Sequence, residues 1–324
     1  MKKVAIIFTG GTISMKVDSR LKAAIPSMSS EDIMSMVTNI DQVADLDIVE
    51  FGKYPGPHMT PEKMMDLKLF VQEKLNQSDI CGVVVTHGTD NLEEVAYLLD
   101  LTLEHEKPIV VVGAMRNGSE MGYDGPSNLA SAIITAVHPS SLNRGVLVVL
   151  NNEISAAREV TKTHTMSLNT FKSLEFGPIG IVDQDHVIYY REQSMPTNHI
   201  KTDIIESDVH LIKVATGMDS RILNFLVENR VKGIVIEAMG RGNVPPMMME
   251  GIHNALNHNI PVIVVSRCPM GRLMGTYGYE GGGAQLEKLG VIFANSLNGQ
   301  KARIQLMLAV TKTSDLNEIK QYFI

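Results

Sequence analysis

The stretch VVVTHGTDNLEE, residues 83–94, reads as a complete strand–turn–helix unit. An unbroken apolar run ends at Thr86, His87 and Gly88 make a turn, and Thr89 and Asp90 open a helix. A strand without polar alternation is buried on both faces, as strands of parallel sheets are. The same unit recurs on either side of it. Apolar segments at 4–8, 47–51, 80–86, 108–113 and 145–150 alternate with helical patterns near 31–38, 61–75, 91–104 and 126–137. This alternation predicts an α/β fold, a mostly parallel sheet flanked by helices. Two helix starts are signed: Ser30 as the cap of SEDIMSMV, and Thr60 as the cap of TPEKMMDLKLF with Pro61 in the first turn.

Beyond residue 150 the pattern changes. IGIVDQDHVIYY, residues 179–190, predicts a hairpin turning at Gln184–Asp185. Residues 191–208 are polar and without a clear period, which places a linker there. Strands near 209–215, 233–238 and 261–266 then alternate with helices at 219–230, 246–258, 300–311 and 314–322. The expected organisation is a larger N-terminal α/β domain over 1–190, the linker 191–208, and a smaller α/β domain over 209–324.

Composition narrows the function. A chain of 324 residues with 44% apolar and 20% charged residues is long enough for an extensive core. A net charge of −7 argues against nucleic acid and anionic membranes as partners. No apolar run approaches the roughly 20 residues of a spanning helix. The run at 4–8 is too short for a signal peptide and lacks a cleavage site, so the expected compartment is the cytoplasm. Cys81 and Cys268 lie far apart and match no metal spacing, and the histidines share no close ligand spacing. The expectation is a chain without a metal site.

In open α/β sheets ligands bind beyond the carboxyl ends of strands, so the polar residues there carry the question. VAIIFTGGTISM, residues 4–15, ends a strand in two glycines between Thr9 and Thr12, with neither the lysine of a phosphate loop nor the three-glycine dinucleotide spacing. Thr12 reads plainly as a hydroxyl bonding its own turn, or as a nucleophile. Asp90 with Glu93 fits a capping box; equally, free N–H groups at that helix start can hold an oxyanion and Asp90 an ammonium. Lys162 in REVTKTHT, residues 158–165, is a solvated lysine, or a base that must first be made neutral. Asp124 and Pro126 in GAMRNGSEMGYDGPSN, residues 113–128, start a helix. Taken together, two threonines, an aspartate and a lysine at strand ends of one sheet favour acyl transfer through a hydroxyl nucleophile.

These segments also resemble the bacterial-type L-asparaginases. TGGTIS at 9–14 and THGTDNLEE at 86–94 are similar to that family's two signature segments. The similarity continues through KPIVVVGAMR at 107–116, DGPSNL at 124–129, VTKTHT at 160–165, KGIVIEAMGRGNVP at 232–245 and SRCPMG at 266–271, covering essentially the whole chain. The resemblance implies cofactor-free hydrolysis of L-asparagine to aspartate and ammonia. It makes Thr12 the nucleophile, Thr89 and Lys162 its proton-transfer partners and Asp90 the ligand of the substrate ammonium. Gly11, Gly56, Pro57, His58, Gly88, Ala114 and Asn243 then line the substrate. It further implies a homodimer or homotetramer with sites completed across an intimate dimer, Glu280 being the candidate for a partner's contribution.

Two features depart from the family pattern. Gly56 and Pro57 stand where secreted members carry side chains for the substrate backbone, leaving backbone groups or His58 for the carboxylate. Residues 15–28, where the family has a lid tyrosine, contain no tyrosine, and Tyr54 is the nearest substitute. An asparaginase–glutaminase and a non-catalytic amino-acid-binding protein are the alternatives that the motifs leave open.

Overall fold

The computed structural model describes residues 2–323. Tertiary contacts divide the chain into two compact units, the first ending at His199 and the second beginning at Ile200.

The first unit is built on strand β1 (Lys3–Gly10), whose residues Val4 to Ile7 are wholly buried. A small hairpin, β2 (Met15–Asp18) and β3 (Ala23–Pro26), follows, then helix α1 (Ser30–Met34) and strand β4 (Asp45–Tyr54). Next come α2 (Pro61–Leu75), β5 (Ile80–Thr86), α3 (Leu92–Thr102), β6 (Ile109–Val112), α4 (Gly125–Val137) and β7 (Val146–Leu150). The chain continues through β8 (Glu153–Ala156), the two-residue strands β9 (Thr161–Lys162) and β10 (Phe171–Lys172), and the hairpin β11 (Gly180–Asp183) and β12 (His186–Tyr189).

Eight strands form the main sheet, in the order β12-β11-β8-β7-β6-β5-β1-β4. The five from β4 to β7 are parallel, and β8, β11 and β12 add an antiparallel edge. Register puts Ile6 of β1 between Ile48 of β4 and Val84 of β5. From β1 the chain crosses to one side to make β4, then to the other to make β5. The connections leaving β1 and β5 therefore diverge, which opens a crevice at their carboxyl ends. Thr12 and Thr89 lie just past those two ends.

The second unit has β13 (Val209–Lys213), α5 (Arg221–Glu228), β14 (Gly233–Ala238), α6 (Met249–Asn257), β15 (Val262–Ser266), α7 (Gly283–Lys288), β16 (Ile292–Phe293), α8 (Gly299–Ala309) and α9 (Leu316–Gln321). Its four strands are parallel in the order β13-β14-β15-β16. Among the described residues no helix is long and apolar enough to cross a membrane.

The alternating apolar segments of the sequence coincide with β1, β4, β5, β6 and β7, and the hairpin turns at Gln184–Asp185 as expected. Thr60 caps α2 by accepting from Lys63 N–H. The cap of α1 is Ser29 rather than Ser30, because Ser29 and Asp32 three residues on exchange reciprocal hydrogen bonds. That helix also stops at Met34, short of the expected 38. Not foreseen were β2, β3, β8, β9, β10, α7 and β16, all of six residues or fewer.

Close packing of sheet and helix leaves a mark at Gly82 in β5. A Cβ there would lie 2.6 Å from the Ala136 carbonyl oxygen of α4, a backbone atom that cannot swing aside. Gly82→Ala is therefore expected to destabilise the chain by about 1–3 kcal/mol, read as a lower urea midpoint with an unchanged slope.

Candidate active site

The crevice is closed at its floor by glycines. Gly11, at φ 81°, lies so near Gly88 that a Cβ on it would sit 2.4 Å from the Gly88 nitrogen. Gly88 in turn lies against Gly56, whose Cα would be 2.9 Å from a Gly88 Cβ. Three turns, following β1, β5 and β4, thus meet backbone to backbone, which only glycine permits. Thr12 and Thr89 each follow one member of the touching pair Gly11 and Gly88. Gly11 N–H also donates to the Tyr54 carbonyl (2.9 Å), tying the first turn to the end of β4.

Lys162 reaches this place from β9. Its Nζ donates to Thr89 Oγ1 at 3.0 Å and to Asp90 Oδ1 at 2.7 Å. Thr89 is buried, Lys162 half-buried and Asp90 exposed. The strand is brought there by Glu93, buried in the first turn of α3. Its carboxylate accepts from Thr161 Oγ1 (3.0 Å) and Lys162 N–H (3.3 Å). The capping box expected from Asp90 and Glu93 accordingly does not form: α3 begins at Leu92 with Asn91 as its uncapped N-cap. Both carboxylates are engaged by a segment some seventy residues later in the chain.

Beneath the glycines lies a buried polar group that the sequence reading did not single out. Thr9 Oγ1 donates to the Thr86 carbonyl (2.7 Å) and stands 2.8 Å from His87 Nδ1. On the other side of the ring Nε2 lies 3.1 Å from Asn91 Oδ1, to which it donates when it carries the ring proton. His87 has no exposed surface, and burial drives its pKa down to about 4, the Asn91 contact opposing the shift. The signal that could have found it is the position, a histidine immediately after a wholly apolar strand.

The other expected residues are distributed as follows. Ala114 is fully buried past the end of β6. Beside it, Met115 N–H (3.0 Å) and Arg116 N–H (2.9 Å) donate to the Asp124 carboxylate, so Asp124 ties that loop in addition to preceding α4. Pro57 and His58 are exposed on the turn Gly56–His58, with Gly56 buried beneath. Tyr54 folds its ring back over Gly52 and under Lys63 Nζ, 4.3 Å from the centroid. Asn243 belongs to the second unit, where its side-chain oxygen accepts from Gly283 N–H (3.0 Å). Glu280 is exposed in that unit. Among the described residues, no group of three or more His, Cys, Asp or Glu side chains is gathered as a metal site would be.

Residues 3–195 match the family described as asparaginase, N-terminal, and residues 208–323 the glutaminase/asparaginase C-terminal domain. The chain is 35% identical to an L-asparaginase of Bacillus licheniformis, over 99% of both chains. It is 34% identical to a probable periplasmic L-asparaginase of Haemophilus influenzae, over 100% of this chain and 93% of that one. The crystal structure of a probable cytoplasmic L-asparaginase from Campylobacter jejuni superposes with a TM-score of 0.88 at 32% identity, covering 100% of this chain and 99% of that one. Fold and crevice define an α/β protein whose turns converge at the topological switch point of its sheet. The chain belongs to the asparaginase family.

The depressed pKa of His87 has a measurable sign. Between about pH 6.5 and 4 the unfolded chain binds a proton at this residue that the folded chain refuses, so stability falls as pH drops through that window. From pH 7 to pH 5 the residue should account for about 2 kcal/mol of lost stability. Urea titrations at the two pH values should show that increment in the wild type and not in His87→Gln.

Proposed function

We propose that the chain is an L-asparagine amidohydrolase that works through an acyl-enzyme on Thr12, without a cofactor. The observation that carries this reading is the contact of Lys162 Nζ with both Thr89 Oγ1 and Asp90 Oδ1 beside the Gly11–Gly88 junction. A non-catalytic binding protein has no use for a lysine held against a buried hydroxyl next to a second threonine.

In the reaction, Thr12 Oγ1 attacks the side-chain amide carbon of asparagine, and its proton passes toward Thr89 and Lys162. Backbone N–H groups near Thr89 stabilise the tetrahedral oxyanion, an effect often worth several kcal/mol. Collapse breaks the C–N bond, the leaving nitrogen takes up the proton, and ammonia departs. Water then attacks the Thr12 ester, the same pair accepting its proton, and aspartate is released with Thr12 restored. Asp90 holds the substrate ammonium. The turns at Gly11, Gly56–His58, Gly88 and Ala114 surround the substrate, with the carboxylate falling to backbone groups or to His58. Asn243 is assigned to substrate by the resemblance alone.

The chain is further proposed to act as a homodimer or homotetramer in the cytoplasm. Support for assembly comes from apolar side chains left exposed on the second unit, among them Met247 and the stacked pair Tyr277 and Tyr279. The compartment is supported by the Campylobacter jejuni neighbour, with the Haemophilus influenzae relative pointing the other way. Light scattering and cell fractionation read these two features directly.

Ammonia release should be followed from asparagine and glutamine side by side. Thr12→Ala is expected to fall to background on both, and Lys162→Met to lose about 10²–10⁴ in kcat. One methylene is worth only about 1–3 kcal/mol of discrimination, so the glutamine rate decides whether the chain is an asparaginase–glutaminase. A wild type that binds asparagine and releases nothing would identify a binding protein instead.

A further inference from the structure

Thr12 heads a single helical turn, Thr12–Ser14, too short to hold its own shape. Its carbonyls are accounted for one at a time. The Gly11 carbonyl accepts from Ser14 N–H (3.0 Å) and Ser14 Oγ (2.9 Å), and the Thr12 carbonyl from Met15 N–H. The Ser14 carbonyl accepts from Ser27 N–H (3.0 Å) and Met28 N–H (2.9 Å). The carbonyl of Ile13, a wholly buried residue, is reached from a distant part of the chain: Tyr123, between β6 and α4, donates its hydroxyl to it.

Tyr123 is itself well seated. Its ring lies over Gly125, where a Cβ would come within 2.3 Å of the phenol oxygen. The neighbouring Asp124 is fixed by Met115, Arg116 and the Asn128 amide (2.9 Å). The same loop grips the strand after Thr12 twice more, through Gly118 N–H to the Met15 carbonyl (2.8 Å) and Val17 N–H to Ser119 Oγ (3.0 Å).

We infer that Tyr123 is a positioning residue for the reaction, resting on the function proposed above. By holding the Ile13 carbonyl it sets the direction in which the adjacent Thr12 hydroxyl points. It takes this part in a chain whose residues 15–28 contain no tyrosine, and it acts on the backbone of the nucleophile turn rather than on the hydroxyl itself. Burial pushes the phenol pKa well above its ordinary value, so it stays a donor at every pH at which the protein would work.

Tyr123→Phe keeps the ring over Gly125 and removes only the hydroxyl. Its kcat on asparagine, normalised to the folded fraction measured by circular dichroism, is expected to fall about ten- to a hundredfold. KM should stay within about threefold of the wild type. Amide exchange in the peptide covering residues 12–17 should quicken about tenfold or more while that of β1 holds. A variant that merely destabilised the fold would keep its kcat per folded molecule, and that result overturns the assignment. Equal kcat in an active wild type and Tyr123→Phe also overturns it while leaving the asparaginase reading intact. A wild type that releases no ammonia overturns the asparaginase reading, and the role of Tyr123 with it.

Discussion

Where Gly11 lies against Gly88, and Gly88 against Gly56, three turns of polypeptide touch without a side chain between them. The contact is possible only at the switch point of the sheet, because there the connections from β1 and β5 leave in opposite directions and their turns are free to lean together. Everything in the crevice takes its position from it. Thr12 and Thr89 are each one residue beyond the contact, and Asp90 two. Added bulk at any of the three glycines would move backbone, and so would displace several functional groups at once.

A second constraint comes from below and from one side. His87 and Thr9 join the two signature turns through a buried hydrogen bond, and Asn91 extends it to the start of α3. Glu93, one turn into that helix, recruits the backbone of β9 and so delivers Lys162. The helix start that would ordinarily be capped by its own carboxylates is left with Asn91, which makes no side-chain cap. Local helix stability, about 1 kcal/mol for a cap, has been exchanged for long-range organisation.

That exchange explains what could and could not be read from the chain alone. Inner parallel strands are buried on both faces, so β1, β5, β6 and β7 announce themselves as apolar runs, and with them the α/β class. Thr12, Thr89, Asp90 and Lys162 were legible because they stand at strand ends within segments resembling a known family. The engagement of Asp90 and Glu93 was not, since a local window sees S/T-x-x-E-like spacing and not a strand seventy residues away. Tyr123 was hidden for the same reason, its partner Ile13 being 110 residues distant. The short strands β8 and β16 escaped because so few residues carry no period. Ser30 was mistaken for Ser29 although Asp32, three residues after Ser29, marks the true cap.

The placement of Lys162 on a two-residue strand has a consequence in time. Thr89 and Lys162 are 73 residues apart. At translation rates of about 5–20 residues per second, several seconds separate their emergence from the ribosome. Throughout that interval the nascent chain holds Thr12, Thr89, Asp90 and all three glycines, but not the amine that bridges Thr89 to Asp90. The strand that pairs with β9 arrives later still, at Phe171–Lys172. Synthesis itself thus keeps the crevice chemically incomplete until most of the larger unit has been made.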